Sequence, residues 1–417
     1  MTDLSGGHSG NPSRLARHPR PVPVALLAFL TGLFFLNIVS RLTLGPLFPI
    51  VEQEFGFRHG TAGSLYFFMM VGYAIGLYLS GYIAWWLSHR ATITVSSLTL
   101  GTALLAIAWT PSLSGVRVSL ILLGFGSGLY LPSGIAALTE NTRESFWGKA
   151  LAIHELGPNL GYVCAPLLTE LLLRFFSWRG MMGALGGLAF LLGVVFQFSG
   201  LGETSPGQPP SRATMAPLAR DRALWVMASL FAVSIGVGLG IYTMLPLFLI
   251  NELGLDRLSA NLITGLTRVS GLFSVLISGA LADRLGRSRS VAVYLAAAGG
   301  CAVLLGLVRG PWITPPLIFL QAGAAAAFYP AGFAMLSAVF PVPLRNVAVS
   351  MVMIIGVLIG SGGVPPAVGF LADRYSFSLA FSAAGVATLA SLMLLGFFPS
   401  RSNMRREADG VRRPPRP

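Results

Sequence analysis

Long apolar runs recur along this chain at intervals of about 30 residues, each close to 20 residues long and separated by short polar loops. A run of that length spans the hydrocarbon core of a bilayer as a helix. In lipid the backbone must satisfy its own hydrogen bonds, so only helices and closed barrels can cross. Twelve such runs are expected to be membrane helices: Val22 to Ile50, Gly60 to Leu87, Thr92 to Trp109, Val116 to Leu138, Trp147 to Leu173, Arg179 to Gly200, Ala223 to Ile250, Ser259 to Leu281, Ser290 to Val308, Trp312 to Phe340, Asn346 to Ala372, and Ser376 to Pro399. Only 10% of the 417 residues are charged and 54% are hydrophobic, against about 25% charged in a soluble domain.

The distribution of charge orients these helices. Of the 28 Lys and Arg, nineteen fall on the side shared by the two ends of the chain, seven on the opposite side, and two, Arg41 and Arg268, within the membrane. Positive loops stay in the cytoplasm, so both termini are expected there, in a bacterial inner membrane. The net charge of +13 is therefore spread over loops, not gathered with aromatics on one face, and no nucleic-acid partner is expected. The first apolar run continues past any small-residue cleavage site, so a signal peptide is not expected. Cys164 and Cys301 both lie in apolar runs and form no metal or disulfide framework. The single lysine, Lys149, leaves no phosphate-cradling G-x-x-x-x-G-K-[ST] loop, and the five His are scattered. The reading is of a chain that is not an enzyme and uses no cofactor or metal.

The chain also repeats itself. Pro46, Leu47, Phe48 and Glu52 recur as Pro246, Leu247, Phe248 and Glu252, and Pro132 and Gly134 recur as Pro330 and Gly332. Gly157, Gly161 and Pro166 recur as Gly356, Gly360 and Pro365. The offsets agree at about 200 residues, which predicts a duplicated six-helix unit. The expected organisation is an all-α membrane protein with two pseudo-symmetric six-helix bundles, residues 22–200 and 223–399. A cytoplasmic linker, 201–222, joins them, and the tails 1–21 and 400–417 are expected to be cytoplasmic, the first of them disordered.

Twelve helices in two halves with a central linker resemble the major facilitator superfamily across nearly the whole chain. The turn Gly279, Asp283, Arg284, Gly286, Arg287 matches that superfamily's G-x-x-x-D-R-x-G-R motif. In the first half the motif is degraded: Gly81 and Arg90 bracket Trp85 and Trp86 where the acid and its neighbour belong. The resemblance implies alternating access, with Gly279, Asp283, Arg284 and Arg287 as a gate. A carboxylate there accepts from a facing Arg or a helix N-terminus only when the halves meet.

An arginine inside the membrane is costly and usually faces a wet cavity. Arg41 in the first segment and Arg268 in the eighth belong to different halves, and a guanidinium offers a planar fork to carboxylate or phosphate. They are the leading candidates for binding a small anionic solute. Asn37, one turn before Arg41, together with Tyr130, Tyr329, Gln321 and Asn159, is expected to complete the site. His154 and Glu155 form the other intramembrane ionisable pair and are the expected proton-coupling residues, since His titrates near neutrality. A carboxylate one and a half turns from Lys149 also fits a plain salt bridge.

The function expected is secondary active transport of a small organic anion, a carboxylate first, with protons as the coupling partner. Its surroundings are the lipid bilayer, and a monomer is expected. Two rivals are carried forward. Gly157, Pro158 and Gly161 partly resemble the antiporter motif of drug exporters, which suits a proton-driven exporter of hydrophobic compounds; close helix packing explains the same residues. The degraded first-half motif suits a non-transporting sensor or assembly factor on the same fold.

Overall fold

A computed structural model of the chain describes residues 23–202, 205–207, 212–308, 310 and 312–397, without the side chains at 212, 213, 279, 280, 282, 283, 342, 343 and 346. The expected tails lie outside the described residues, as do the side chains of Gly279 and Asp283.

Eleven helical stretches among the described residues are long and apolar enough to cross a membrane. In the first half they are α1 (Val24–Phe55), α2 (His59–Leu87), α3 (His89–Trp109), α4 (Leu113–Glu140) and α6 (Trp178–Phe198). The helix between the last two, α5 (Trp147–Leu172), has the necessary length but carries Lys149, Glu155 and Glu170. The second half supplies α7 (Arg222–Asn251), α8 (Arg257–Leu285), α9 (Arg287–Leu307), α10 (Thr314–Val339), α11 (Val347–Arg374) and α12 (Phe377–Phe397). The linker is not plain coil: it contains a further helix, Arg212–Arg220, whose Leu218 is buried against the second half. Ser205 bonds Glu140 through its N–H and hydroxyl, and the Gly207 N–H donates to the Ala84 carbonyl at 2.9 Å, fixing this part of the linker to the first half.

Packing repeats the duplication. Within the first half α2 packs on α4, α3 on α4 and α6, and α1 on α5; in the second, α8 packs on α10, α9 on α10 and α12, and α7 on α11. Between halves α2 meets α11 and α5 meets α8, the cross-pairing that a two-fold relating the halves requires. The recurring glycines explain why: a Cβ at Gly157 would meet the Thr31 carbonyl oxygen at 2.5 Å, and one at Gly360 the Ala232 carbonyl oxygen at 2.5 Å. Membrane helices associate by close approach of small residues, because lipid offers no hydrophobic drive for it. Helix starts are capped in the ordinary way, with Ser112, Ser177, Asp221 and Ser376 accepting from first-turn N–H groups.

Three helices are interrupted where the halves face each other. In α1 the regular helix breaks at Thr43, just before Pro46, which cannot donate to the turn behind it. Both α7 and α11 contain a π-helical turn, Gly236–Gly240 and Leu358–Gly363 respectively. Such turns leave carbonyls without helical partners and are frequent at functional sites.

The turn after α2 shows what the motif's glycine does. Gly286 sits at φ 85°, ψ 151°, and its first-half counterpart Ser88 at φ 88°, ψ 159°. Ser88 is the only described non-glycine residue with positive φ. That region belongs to glycine, and holding another residue there costs of order 1–3 kcal/mol. Ser88→Gly is expected to raise the thermal midpoint of the detergent-solubilised protein, whereas Gly157→Val, which drives a side chain into α1, is expected to lower it by several degrees. A fluorescence-monitored melt of both variants against the parent checks the pair.

Candidate functional site

Both membrane arginines line one cavity of about 490 Å³ between the halves. Arg41 reaches it from α1 immediately before the Thr43 break, and its guanidinium carbon lies 4.6 Å from the centroid of the Tyr73 ring. Arg268 reaches it from α8, 4.0 Å over the Tyr242 ring and 5.5 Å from that of Tyr162. One Arg268 Nη donates at 2.9 Å to the Gly238 carbonyl, which belongs to the π turn of α7. The rings offer each cation a negative face, and Tyr242 is held in place by its own bond to the Tyr162 carbonyl at 2.7 Å.

Neither guanidinium has a carboxylate within ion-pairing distance among the described residues, and the Nε of each is buried without an acceptor. Tyrosine rings and one carbonyl leave donors unspent on both. A planar, bidentate acceptor entering the cavity would find guanidinium donors there for charge-assisted hydrogen bonds, which are the strong ones.

Other expected site residues divide into two groups. Glu155, Asn159 and Tyr329 line the cavity with the arginines. Glu155, Asn159 and Tyr162 follow one another at i, i+4 and i+7 on α5 and so share a face. Glu155 makes no ion pair with Lys149, whose ammonium lies 5.7 Å from the Phe146 ring centroid. Asn37, Tyr130, Gln321 and His154 do not line the cavity. Asn37 is 3% exposed and donates to the Ser127 carbonyl, tying α1 to α4. Tyr130 donates to the Leu30 carbonyl at 2.6 Å and meets His154 Nε2 at 3.0 Å, while the His154 ring stacks on Phe34. Gln321 donates at 2.7 Å to Val237, another carbonyl of the α7 π turn. Each of these four spends a polar atom on a neighbouring helix, while Asn37 Oδ1 and His154 Nδ1 stay buried without a partner. Glu155 and His154 therefore separate: successive residues on a helix point about 100° apart, one into the cavity and one into the bundle.

Of the gate residues, Arg284 and Arg287 are exposed at the face that carries the chain ends. The contacts that close the halves together lie at the opposite, distal face. There Asp373, at the end of α11, accepts from the N–H groups of His59 (3.0 Å) and Gly60 (2.8 Å), capping the start of α2 across the interface. On the other flank buried Glu170 of α5 takes Asn261 at 2.6 Å and Arg257 at 3.2 Å from α8. From this seal the cavity runs toward the face of the chain ends, with Leu131, Glu155, Phe333 and Met353 in its walls.

Sequence reasoning did not single out Tyr162 or this distal seal. The first had a signal in its seven-residue spacing from Glu155. The second had one in Gly369, Asp373 and Arg374, which repeat the G-x-x-x-D-R spacing of Gly279, Asp283 and Arg284. Asp373→Ala removes a helix cap worth about 1 kcal/mol from the distally closed state alone. It is expected to raise the population open on the distal side about fivefold, and Glu170→Ala, which orphans Arg257, by more. Alkylation of a cysteine placed at Thr243, in a chain lacking Cys164 and Cys301, by an impermeant reagent added from the distal side measures both.

Comparison with known proteins agrees with this architecture. The family model described as Major Facilitator Superfamily matches residues 30–317 and 269–417. A putative metabolite transport protein of Haemophilus influenzae is 26% identical over 82% of this chain and 87% of its own length. The 4-hydroxybenzoate transporter PcaK of Acinetobacter baylyi is 22% identical over 86% and 87% respectively. Among solved structures, the D-xylose-proton symporter superposes with a TM-score of 0.72 at 17% identity, covering 91% of this chain and 98% of its own. A bacterial homologue of the lysosomal transporter Spinster gives 0.72 at 14%, covering 94% and 99%. Matched by that family model over most of its length, the chain belongs to the Major Facilitator Superfamily.

Proposed function

We propose that this chain is a secondary active transporter of a small organic anion, with a carboxylate as the group it holds, working by alternating access. One observation carries the reading: two guanidinium groups line a single cavity between the halves, and among the described residues no carboxylate is paired to either. The cost of keeping them there is offset when an anion arrives. The named activity of the PcaK relatives, 4-hydroxybenzoate transport, is of the same chemical class and supports the assignment.

Proton coupling follows from charge balance in the cavity. Arg41 and Arg268 contribute two positive charges and Glu155 one negative. An anion entering is attracted by the surplus and repelled by Glu155. A proton on Glu155 removes that repulsion, and by reciprocity a bound anion favours the proton. The two then travel together. The positive-inside count supports a cytoplasmic side for the face of the chain ends, in an inner membrane.

Arg268→Gln is expected to lower uptake of benzoate-type carboxylates into proteoliposomes at least tenfold, and Arg268→Lys to restore little, since an ammonium lacks the planar fork. Uptake unchanged in Arg268→Gln for every anion tried would refute the assignment. Glu155→Gln is expected to keep anion exchange and to lose accumulation driven by a pH gradient. Uphill accumulation surviving in that variant would rule out Glu155 as the coupling site.

A further inference from the structure

The cavity has two chemically distinct poles, and the second constrains the solute beyond its carboxylate. At the first pole stand Arg268 and Arg41 with Tyr162 and Tyr73. Along α5 from Tyr162, Asn159 lies about 5 Å and Glu155 about 10 Å nearer the face of the chain ends, at 1.5 Å per residue. All three line the same cavity. The remaining walls are mostly apolar, including Ile38, Met69, Leu272 and Val357, with Tyr329 and Ser361 among them.

What Asn159 offers is fixed by its neighbour. Its Nδ2 donates to the Glu155 carbonyl at 2.7 Å. The reverse amide orientation would set oxygen against oxygen, so Oδ1 is left as an acceptor for the cavity beside the one remaining N–H of Nδ2. Glu155 adds carboxyl oxygens, which keep acceptor capacity whether or not a proton is bound. An acceptor-rich pole facing apolar walls rewards a donor and penalises a second anion. A polar group buried opposite an apolar end of the solute loses its water and gains nothing.

Resting on the transport reading above, we infer that the transported acid carries a hydrogen-bond donor, a hydroxyl or an amine, at the end of an apolar body opposite its carboxylate, and that Asn159 is the residue that selects for it. Asn159 is a specificity determinant in this scheme, with Glu155 as the second acceptor. The carboxylate lies on the arginines, the apolar body spans the walls, and the donor reaches Asn159 Oδ1. A second carboxylate in that position faces acceptor oxygens with only the Glu155 proton to meet its charge and is disfavoured.

The test uses the purified full-length chain and measures ligand-induced thermal stabilisation and proteoliposome uptake. Two pairs of acids serve as probes, benzoate with 4-hydroxybenzoate and hexanoate with 6-hydroxyhexanoate, and terephthalate stands as the diacid. In the parent protein the hydroxylated member of at least one pair should bind about tenfold more tightly than its partner, and terephthalate should bind worst. Asn159→Leu should shrink that preference to under about threefold by weakening the hydroxylated member more than the plain acid, and Asn159→Asp, which keeps an acceptor, should retain it. Equal affinities within both pairs in the parent overturn the inference without any variant, as does an Asn159→Leu that weakens both members alike. If acids bind and Arg268→Gln abolishes that binding while the donor makes no difference, only this inference falls. If none of the five acids binds, the transport reading falls with it.

Discussion

A guanidinium in a membrane interior has no water to fall back on, and the central part of this protein is arranged around that fact. Arg41 and Arg268 are stabilised by tyrosine faces and, for Arg268, by a carbonyl released from a π turn. These partners are weaker than a carboxylate and leave the charge largely unsatisfied. A fixed acid in their place would have produced a stable, inert ion pair. Aromatic faces hold each cation in position and keep it available, which is what a site that must bind and release its ligand in every cycle requires.

The irregular backbone serves the same end. Breaks at Thr43 of α1 and the π turns of α7 and α11 lie at the depth of the cavity, where helices can expose carbonyls without facing lipid. Gln321 and Arg268 occupy two of the carbonyls so released, one bracing the bundle and one presenting charge. The seal beyond the cavity is built differently, from carboxylates that cross between halves to a helix start and to an Arg–Asn pair. Those contacts exist only when the distal ends meet, so they stabilise one conformation of the protein and contribute nothing to the other.

Much of this was legible in the sequence. Twelve apolar runs and the repeated Pro46 and Pro246 were enough for the architecture, because lipid permits few alternatives to a helix bundle. The arginines stood out because charge is so rare within those runs. Asn37, Tyr130 and Gln321 were expected at the ligand and His154 at the proton site; all four lie outside the cavity lining and tie helices together. A polar side chain in a membrane helix has two outlets, a cavity or an unpaired group on a neighbouring helix, and spacing along one helix does not distinguish them. Gln321 illustrates the difficulty: its partner, the Val237 carbonyl, is free only because α7 adopts a π turn there. The linker helix, with its short run and single buried Leu218, gave no periodic signal long enough to separate it from coil.

The uneven charge of the cavity has an electrical consequence. With Glu155 ionised, the empty site carries a surplus of one positive charge, and an anion arriving with a proton on Glu155 leaves that surplus unchanged. Voltage acts on moving charge, at about 2.3 kcal/mol per elementary charge per 100 mV. Loaded and empty carriers then feel the membrane potential alike, and its effects on the two strokes cancel over a full cycle. A cell's resting voltage would leave the accumulation ratio to the pH gradient, and alkali cations, repelled by the same surplus, would find no ride on it.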